Sequence, residues 1–363
     1  MFADMTGSEN KKHSEMSFPR NIAAITPTWL GTQLGIPIIS LTAEHIGADR
    51  GMLGDVFRIT YSIPNGETST LIAKFATART DAREAALKAG IFLREISFYR
   101  DIAPTTKSRI PECFGSWYDD ETAEFLLLLE NIIFDHTVDQ IAGISMQEAT
   151  MMMSELARLH IPADKLGDAG RSMLPFTEAR RLTNQMMFIE RGWPKLKSIF
   201  NDAYHWTAAE LVVGLSRAHE LAKEFPQVFL HGDVRADNLL FSQDRSEVVL
   251  VDWQGACTGG RVWDLAYFLV QCLTVDNRES WQKELLIRYC GEVEQDEDGV
   301  TASMLYSDLE YQLGVGAWFP FVVACSLFVV ADMAEPRTMA LARSMAERSL
   351  ALLVKTGQLP ASV

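Results

Sequence analysis

The sequence has no C-x-x-C pair. Its five cysteines, Cys113, Cys257, Cys272, Cys290 and Cys325, are scattered through 363 residues. An odd, dispersed set argues against a disulfide framework or a zinc ribbon and fits a reducing compartment. Positive charge is scarce: 33 Lys and Arg face 48 Asp and Glu, for a net charge of −15. Such a chain lacks the basic surface that binds a nucleic-acid backbone, so no nucleic-acid partner is expected. The opening stretch, MFADMTGSENKKHSEMSFPR, holds no apolar run of signal-peptide length. A cytoplasmic protein with a flexible tail over residues 1–25 is the expectation. There is no G-x-x-x-x-G-K-S/T, no H-E-x-x-H and no G-x-S-x-G, and His219-Glu220 has no second histidine four positions on. P-loop, zincin and serine-elbow chemistries are therefore unsupported.

One uncharged run, Leu313 to Ala331, is long enough to span a bilayer. Pro320 near its middle, Gly314 and Gly316 in its first turns, and the lack of close Lys or Arg flanks argue instead for a buried, broken helix pair. No membrane partner is expected.

What is present is ordinary globular material: 48% hydrophobic and 10% aromatic residues. The length suits two units or one bilobal domain. Thr26-Pro27 predicts a short helix to Leu34. The runs GDVFRITYSI and TSTLIAKFA flank Asn65-Gly66 and predict a tight hairpin over 54–76. Residues 80–99 switch to helical spacing, with Phe92, Ile96 and Tyr99 on one stripe. CFGSWY and EFLLLLE predict a second hairpin. After Glu130 helical patterns dominate, at 145–160, 207–225, 262–272, 280–290, 301–331 and 337–355, with a β-rich island at 228–252. The acidic stretch Glu292, Glu294, Asp296, Glu297, Asp298 reads as a solvated loop. Met146 and Met151–Met153 read as core and helix filler.

The densest chemistry lies in His231-Gly232-Asp233-Val234-Arg235-Ala236-Asp237-Asn238, followed by LLF, a polar turn and VVLVDWQG with Asp252. A carboxylate, an amide five residues on, and a second carboxylate at the end of the next hairpin form the set that phosphoryl transfer needs. One carboxylate orients the attacking hydroxyl and accepts its proton. The amide oxygen and the other carboxylate hold Mg²⁺ against nucleotide phosphates.

H-G-D-x-x-x-x-N followed by V-D-W resembles the aminoglycoside phosphotransferase and choline kinase superfamily. The longer string HGDVRADNLLF…VVLVDWQ…GGRVWDLAYFL resembles its ecdysteroid-kinase-like branch and bacterial relatives, and the kinase-like domains fused to some acyl-CoA dehydrogenases. The likeness extends over about residues 26–355, with a specific catalytic block and a looser N-terminal half. It implies an α+β, bilobal, protein-kinase-like fold. Residues 26–131 would form a small antiparallel-sheet N-lobe, and 132–358 a larger, mainly helical C-lobe.

It also implies roles. Asp233 corresponds to the catalytic base, and Asn238 and Asp252 to the Mg²⁺ ligands. His231 corresponds to a brace of the loop, and Asp264, in WDLAYFL, to an anchor of it. LARLH at 156–160 corresponds to a core helix. Arg235 is either a cation beside the phosphoryl in flight or a salt-bridge partner of Asp237. Lys74, in TLIAKFA, corresponds to the lysine that meets the α- and β-phosphates. Glu95 is its first partner and Glu84 the second choice. Gly51-x-x-Gly54-x-Val56 aligns with a phosphate-covering glycine loop, with Asp49 where its first glycine would stand. Glu130-Asn131-Ile132 corresponds to the hinge whose backbone binds the adenine edge; Glu130 and Ile132 are its nucleotide contacts.

Asp252 and Asp264 are only 12 positions apart, and no A-P-E follows. A peptide platform does not fit there, so the expected acceptor is a small-molecule hydroxyl. Trp193, Trp206, Trp318, Phe319 and Phe321 suggest a partly apolar acceptor or simply buried core. An apolar or sterol-like alcohol, a hydroxyacyl thioester and an aminoglycoside-like compound all remain open. The expectation is an ATP- and Mg²⁺-dependent kinase of a small molecule. The alternative is a non-catalytic, nucleotide-binding pseudokinase. Oligomeric state is left open.

Overall fold

The computed structural model describes residues 18–46, 54–133, 138–168, 173–201, 203–297 and 299–360. Contacts divide the chain into two units. One comprises Met1–Ala85 and Cys113–Asn131, the other Ala86–Glu112 and Ile132–Val363. A boundary falls between Asn131 and Ile132, where the sequence changes character. The segment Ala86–Glu112, expected in the N-lobe, groups with the second unit.

The first unit is built on a five-stranded antiparallel sheet: β1 (Ser40–Ile46), β2 (Gly54–Ser62), β3 (Thr68–Ala76), β5 (Phe125–Glu130) and β4 (Cys113–Tyr118), in that spatial order. Ile59, Leu71, Ala73, Phe75, Leu126 and Leu128 form its core with Phe18, Ile25 and Leu30. Residues 18–25 are thus no loose tail. Asn21 caps a 3₁₀ turn over Ile22–Ala24, and Phe18 and Ile25 are buried. Helix α1 (Pro27–Leu34) starts as expected, with the Thr26 side chain accepting from Trp29 N and Gly35 ending it at φ +68°. In the β2–β3 loop only Gly66 takes a positive φ, +87°; Asn65 does not. Ile63 N bonds Glu67 O, so the turn is wider than a two-residue hairpin. Strand β1 has no counterpart in the sequence reading, because its side chains are mostly exposed and give no apolar alternation.

The single helix expected over 80–99 is broken. Gly90, at φ +65°, separates α2 (Thr80–Ala89) from α3 (Ile91–Ser97), and a π turn spans Phe98–Ile102. In the second unit α4 (Met146–Leu159) begins with a Ser145–Glu148 capping box and buries Met152 and Met153. Helix α5 (Ala179–Ser198) is not among the periodic segments of the sequence; Pro194 and its many charges mask the pattern. Helix α6 (Ala208–Ala222) leads to β6 (Gln227–Leu230). The island then carries β7 (Leu239–Phe241) and β8 (Val248–Leu250), which pair with each other. A further strand, β9 (Cys257–Gly260), pairs with β6.

Every residue of α7 (Val262–Cys272) is buried. Most of the acidic stretch is not a loop: Glu292, Glu294 and Asp296 continue α8 (Val275–Asp296), and Glu292 pairs with Arg288 one turn earlier; Glu297 follows the helix end, and Asp298 lies outside the described residues. The uncharged run forms two helices, α9 (Ala302–Gly316) and α10 (Trp318–Val330), parted at Ala317. Together they are long and apolar enough to cross a bilayer, yet 67% of the most apolar window is buried inside the protein. Helix α10 packs on α5 and on α11 (Pro336–Lys355).

Candidate active site

The site in the second unit starts from a buried carboxylate. Asp264, in the first turn of α7, is fully buried. Its Oδ2 accepts from His231 N at 2.7 Å and its Oδ1 from Gly232 N at 2.9 Å. Two consecutive amides on one carboxylate fix the backbone leaving β6. Gly232 sits at φ +77°, and a Cβ there would lie 2.3 Å from Gly255 O. Only glycine fits both conditions. His160 Nε2–H faces Asp264 at 3.4 Å, while its Nδ1 accepts from Tyr289 Oη at 2.6 Å. Burial lowers the His160 pKa, against the pull of Asp264, which favours the neutral ring.

His231 is a brace, as the sequence suggested. Its Nδ1 accepts from Asp233 N at 3.2 Å, which leaves Nε2–H to donate to Val251 O at 3.1 Å. The ring lies against Trp253, centroids 4.4 Å apart. It ties the loop of Asp233 to the strand end that carries Asp252.

Three side chains converge on the carboxylate of Asp233. Asn238 Nδ2 donates to Oδ2 at 2.8 Å, and also to the Asp233 carbonyl at 2.8 Å. Arg235 Nε donates to Oδ2 at 3.2 Å. The Tyr267 hydroxyl, from α7, donates to Oδ1 at 2.9 Å. Burial first, then the charge of Asp233, push the Tyr267 phenol well above its ordinary range, so it remains a donor at neutral pH. Tyr267 was missed in the sequence reading. It stands 34 residues from Asp233 inside an apolar helix, and no local pattern marks it.

The amide of Asn238 is oriented by its own contacts. Nδ2 points at two acceptors, where Oδ1 would meet only oxygen, so Oδ1 faces away from both. The Asn238 carbonyl accepts from Val251 N at 3.1 Å, which brings Asn238 beside the residue preceding Asp252. Asp252 is half-buried and adopts φ +66°, ψ 76°, a left-handed conformation unusual for a residue with a Cβ. An amide oxygen and a carboxylate on adjoining segments are hard oxygen donors of the kind a divalent cation takes. Trp253 is fully buried and stacks on Phe98 with centroids 3.6 Å apart. That contact ties the segment after Asp252 to the π turn that follows α3, where Glu95 is buried.

Arg235 forms the salt bridge to Asp237 that was one of its two readings. It donates to Asp237 Oδ2 at 2.6 Å while also bracketing Asp233. Burial opposes its charge, but Asp233, Tyr267 and Asp237 outweigh that and hold its pKa above the usual arginine value. In the same unit, a cavity of about 580 Å³ is lined by Lys165, Pro226, Arg261 and Glu297. Asp233, Asn238 and Asp252 do not line it.

The first unit holds the other expected residues. Lys74 lies on β3, paired with Val56 and Leu127 and only 9% exposed. Gly54 opens β2 opposite Ala76. Glu130 ends β5, paired with Leu71, and Asn131 Nδ2 bonds Thr70 Oγ1 at 2.9 Å. Ile132, half-buried, begins the second unit. Gly51 lies outside the described residues.

Residues 145–302 match the phosphotransferase enzyme family model, and residues 50–163 match the ecdysteroid kinase-like family model. No curated protein matches the sequence significantly. Among solved structures, a Ralstonia eutropha JMP134 protein assigned to the aminoglycoside phosphotransferases is 15% identical with a TM-score of 0.55. The match covers 91% of this chain and 97% of that one. A point mutant of aminoglycoside 2'-phosphotransferase-IIIa, in its GDP complex, is 14% identical with a TM-score of 0.53, covering 91% and 95%. Amicoumacin kinase hAmiN, with AMP-PNP, Ca²⁺ and its antibiotic, is 13% identical with a TM-score of 0.52, covering 88% and 90%. The two family matches together span residues 50–302, and with the fold they support a small-molecule phosphotransferase of protein-kinase-like fold, similar to the aminoglycoside phosphotransferase and choline kinase superfamily.

Proposed function

We propose that the protein transfers the γ-phosphoryl group of ATP to a hydroxyl of a small molecule, with Mg²⁺. The observation that carries this reading is the Asp233 carboxylate. It is held by Tyr267, Arg235 and Asn238, and Asn238 in turn adjoins the segment of Asp252. Asp233 orients the acceptor hydroxyl and accepts its proton as the oxygen attacks the γ-phosphorus. A new O–P bond forms, the bond to the bridging oxygen breaks, and ADP leaves. Asn238 and Asp252 would hold Mg²⁺, which when bound draws charge off the nucleotide phosphates.

Arg235 adds a fixed positive charge beside the base. Lys74 meets the α- and β-phosphates with Glu95 as its partner, and Gly51 and Gly54 line the phosphate loop. The backbone of Glu130–Ile132 holds the adenine edge. The reported neighbours bound to GDP or to AMP-PNP with Ca²⁺ support the use of a nucleotide and a divalent ion. Five free cysteines suit a cytoplasmic setting.

The test is label transfer from γ-³²P-ATP with Mg²⁺ to a panel of alcohols, hydroxyacyl thioesters and aminoglycosides. Asp233→Asn serves as the control. Transfer by wild type and not by the variant supports the reading. No transfer and no ATP turnover by either would favour a nucleotide-binding pseudokinase.

A further inference from the structure

We infer that Tyr267 is a positioning residue for the base: its hydroxyl pins one oxygen of Asp233 and so sets which way the carboxylate faces the acceptor. The inference rests on the reading of Asp233 given above.

The two oxygens of Asp233 are not equivalent. Oδ2 is shared by Asn238 Nδ2 at 2.8 Å and Arg235 Nε at 3.2 Å. Both donors come from the same short loop, within five residues of Asp233. Asn238 is tied to the rest of the unit through the Val251 N–H on its carbonyl, but neither it nor Arg235 brings a contact to Asp233 from outside the loop. The Tyr267 hydroxyl, on Oδ1 at 2.9 Å, comes from α7. Helix α7 is buried along its whole length. It also supplies Asp264, which holds the backbone amides of His231 and Gly232. One rigid helix therefore grips the loop twice. Asp264 grips its backbone, and Tyr267, one turn later on the same face, grips its reactive side chain.

The Tyr267 ring is itself held. It is 1% exposed and stacks on Phe319 of α10, with centroids 4.7 Å apart and planes 29° apart. A phenol fixed by stacking and buried from water has one good acceptor to satisfy, and that acceptor is Asp233. A hydrogen bond to a charged group in such a setting is worth more than one in water. Asn238 and Arg235 crowd Oδ2, whereas Oδ1 receives the single Tyr267 donor. Oδ1 is thus the oxygen with lone-pair capacity left for the acceptor's proton.

Tyr267→Phe isolates the hydroxyl, because the ring and its stack on Phe319 remain. The acceptor is unidentified, so the probe is MgATP hydrolysis, with water as acceptor, by the full chain. The expected result is a fall in kcat of about 10-fold or more with KM for ATP unchanged. A role in packing alone would lower thermal stability and leave kcat where it was.

A second readout checks the contact without activity. In [¹³Cζ]tyrosine-labelled protein, the resonance lost in Tyr267→Phe identifies Tyr267. The charged groups facing its hydroxyl are Asp233 and Arg235, with Cys272 on its own helix. Asp233→Asn removes the charge that opposes tyrosinate formation, so the ionisation of Tyr267 moves to lower pH while burial still holds it above an ordinary tyrosine. An ionisation indifferent to Asp233→Asn overturns the inference. So does a Tyr267→Phe enzyme with wild-type kcat. If Asp233→Asn itself turns over ATP like wild type while Tyr267 still responds to it, the contact stands. The role of Asp233 as base then falls, and the positioning role falls with it.

Discussion

The two units bury polarity in opposite ways. In the sheet unit, the core of Ile59, Leu71, Phe75, Leu126 and Leu128 is apolar, and among the described strand residues Lys74 is the buried charged one. In the helical unit, Asp264, His160, His231 and Asn238 are all buried and hydrogen-bonded, to each other, to the loop around Asp233, to Tyr289 and to Val251. A sheet core built from alternation tolerates exchange of one aliphatic residue for another. A buried polar network is costly unless every member is satisfied, and that requirement fixes a single geometry. The helical unit thus holds its buried donors and acceptors in one arrangement around Asp233, where the proposed chemistry would lie, and the sheet unit buries Lys74 on β3.

The comparison can be broken at several points. The largest effect is expected at Asp233. Asp233→Ala should slow phosphoryl transfer by about 10²–10⁴-fold if it serves as general base, with the fold retained but stability lowered by about 1–3 kcal/mol, because the buried Tyr267 hydroxyl loses its acceptor. Stopped-time assays alongside far-UV circular dichroism measure both. Turnover near wild type would remove the helical unit's claim to the chemistry.

Next is Gly232→Ala. Its positive φ and the 2.3 Å approach to Gly255 O leave a methyl group nowhere to go. The substitution should destabilise by on the order of 3 kcal/mol and abolish activity, read by urea unfolding and by ATP turnover. By contrast, Leu128→Ile in the sheet should leave turnover nearly unchanged.

A third test uses pH. His219 is fully buried; burial first, then Arg181 and Lys223, lower its pKa to about 4. Its Nε2–H donates to Gln185 Oε1 at 2.6 Å. Because the folded-state value lies below the unfolded one, the unfolded chain binds more protons between about pH 6.5 and 4. Stability should therefore fall as pH drops through that window. Burial drives the His160 value in the same direction, with Asp264 opposing it. Urea midpoints from pH 7 to 4 would show the decline, and His219→Gln should flatten it. An unchanged slope in that variant would assign the acid sensitivity elsewhere.

The smallest effect is at the edge of the sheet unit. Thr26 caps α1 by accepting from Trp29 N at 3.1 Å. Thr26→Ala should lower stability by about 1 kcal/mol without touching turnover. If turnover fell as well, the two units would be more tightly coupled than this contrast supposes.

Much of this was legible in the sequence where the signal is local. The cap at Thr26, the strands around Lys74 and the Asp233–Asn238 spacing all read directly, because each depends on neighbours a few residues away. What was not legible depends on tertiary context. Strand β1 is an edge strand held by backbone pairing to β2, so its side chains carry no pattern. Helix α5 hides behind Pro194 and a charged exposed face. The acidic stretch looked like a loop by composition, yet the Arg288–Glu292 pair and the packing of Val293 keep it helical. Tyr267 carries no distinguishing signal inside an apolar helix; only the fold carries its hydroxyl to Asp233.

The central claim is that Asp252 and Asn238 form a metal–nucleotide site beside the base. The most direct measurement is thermal unfolding of wild type and Asp252→Ala, each with and without MgATP. A ligand that binds only the native state stabilises it by about 2.7 kcal/mol at 100 times Kd. The account predicts a clear upward shift in wild type and little or none in the variant. Equal shifts in both, or no shift in wild type at millimolar MgATP, would contradict it.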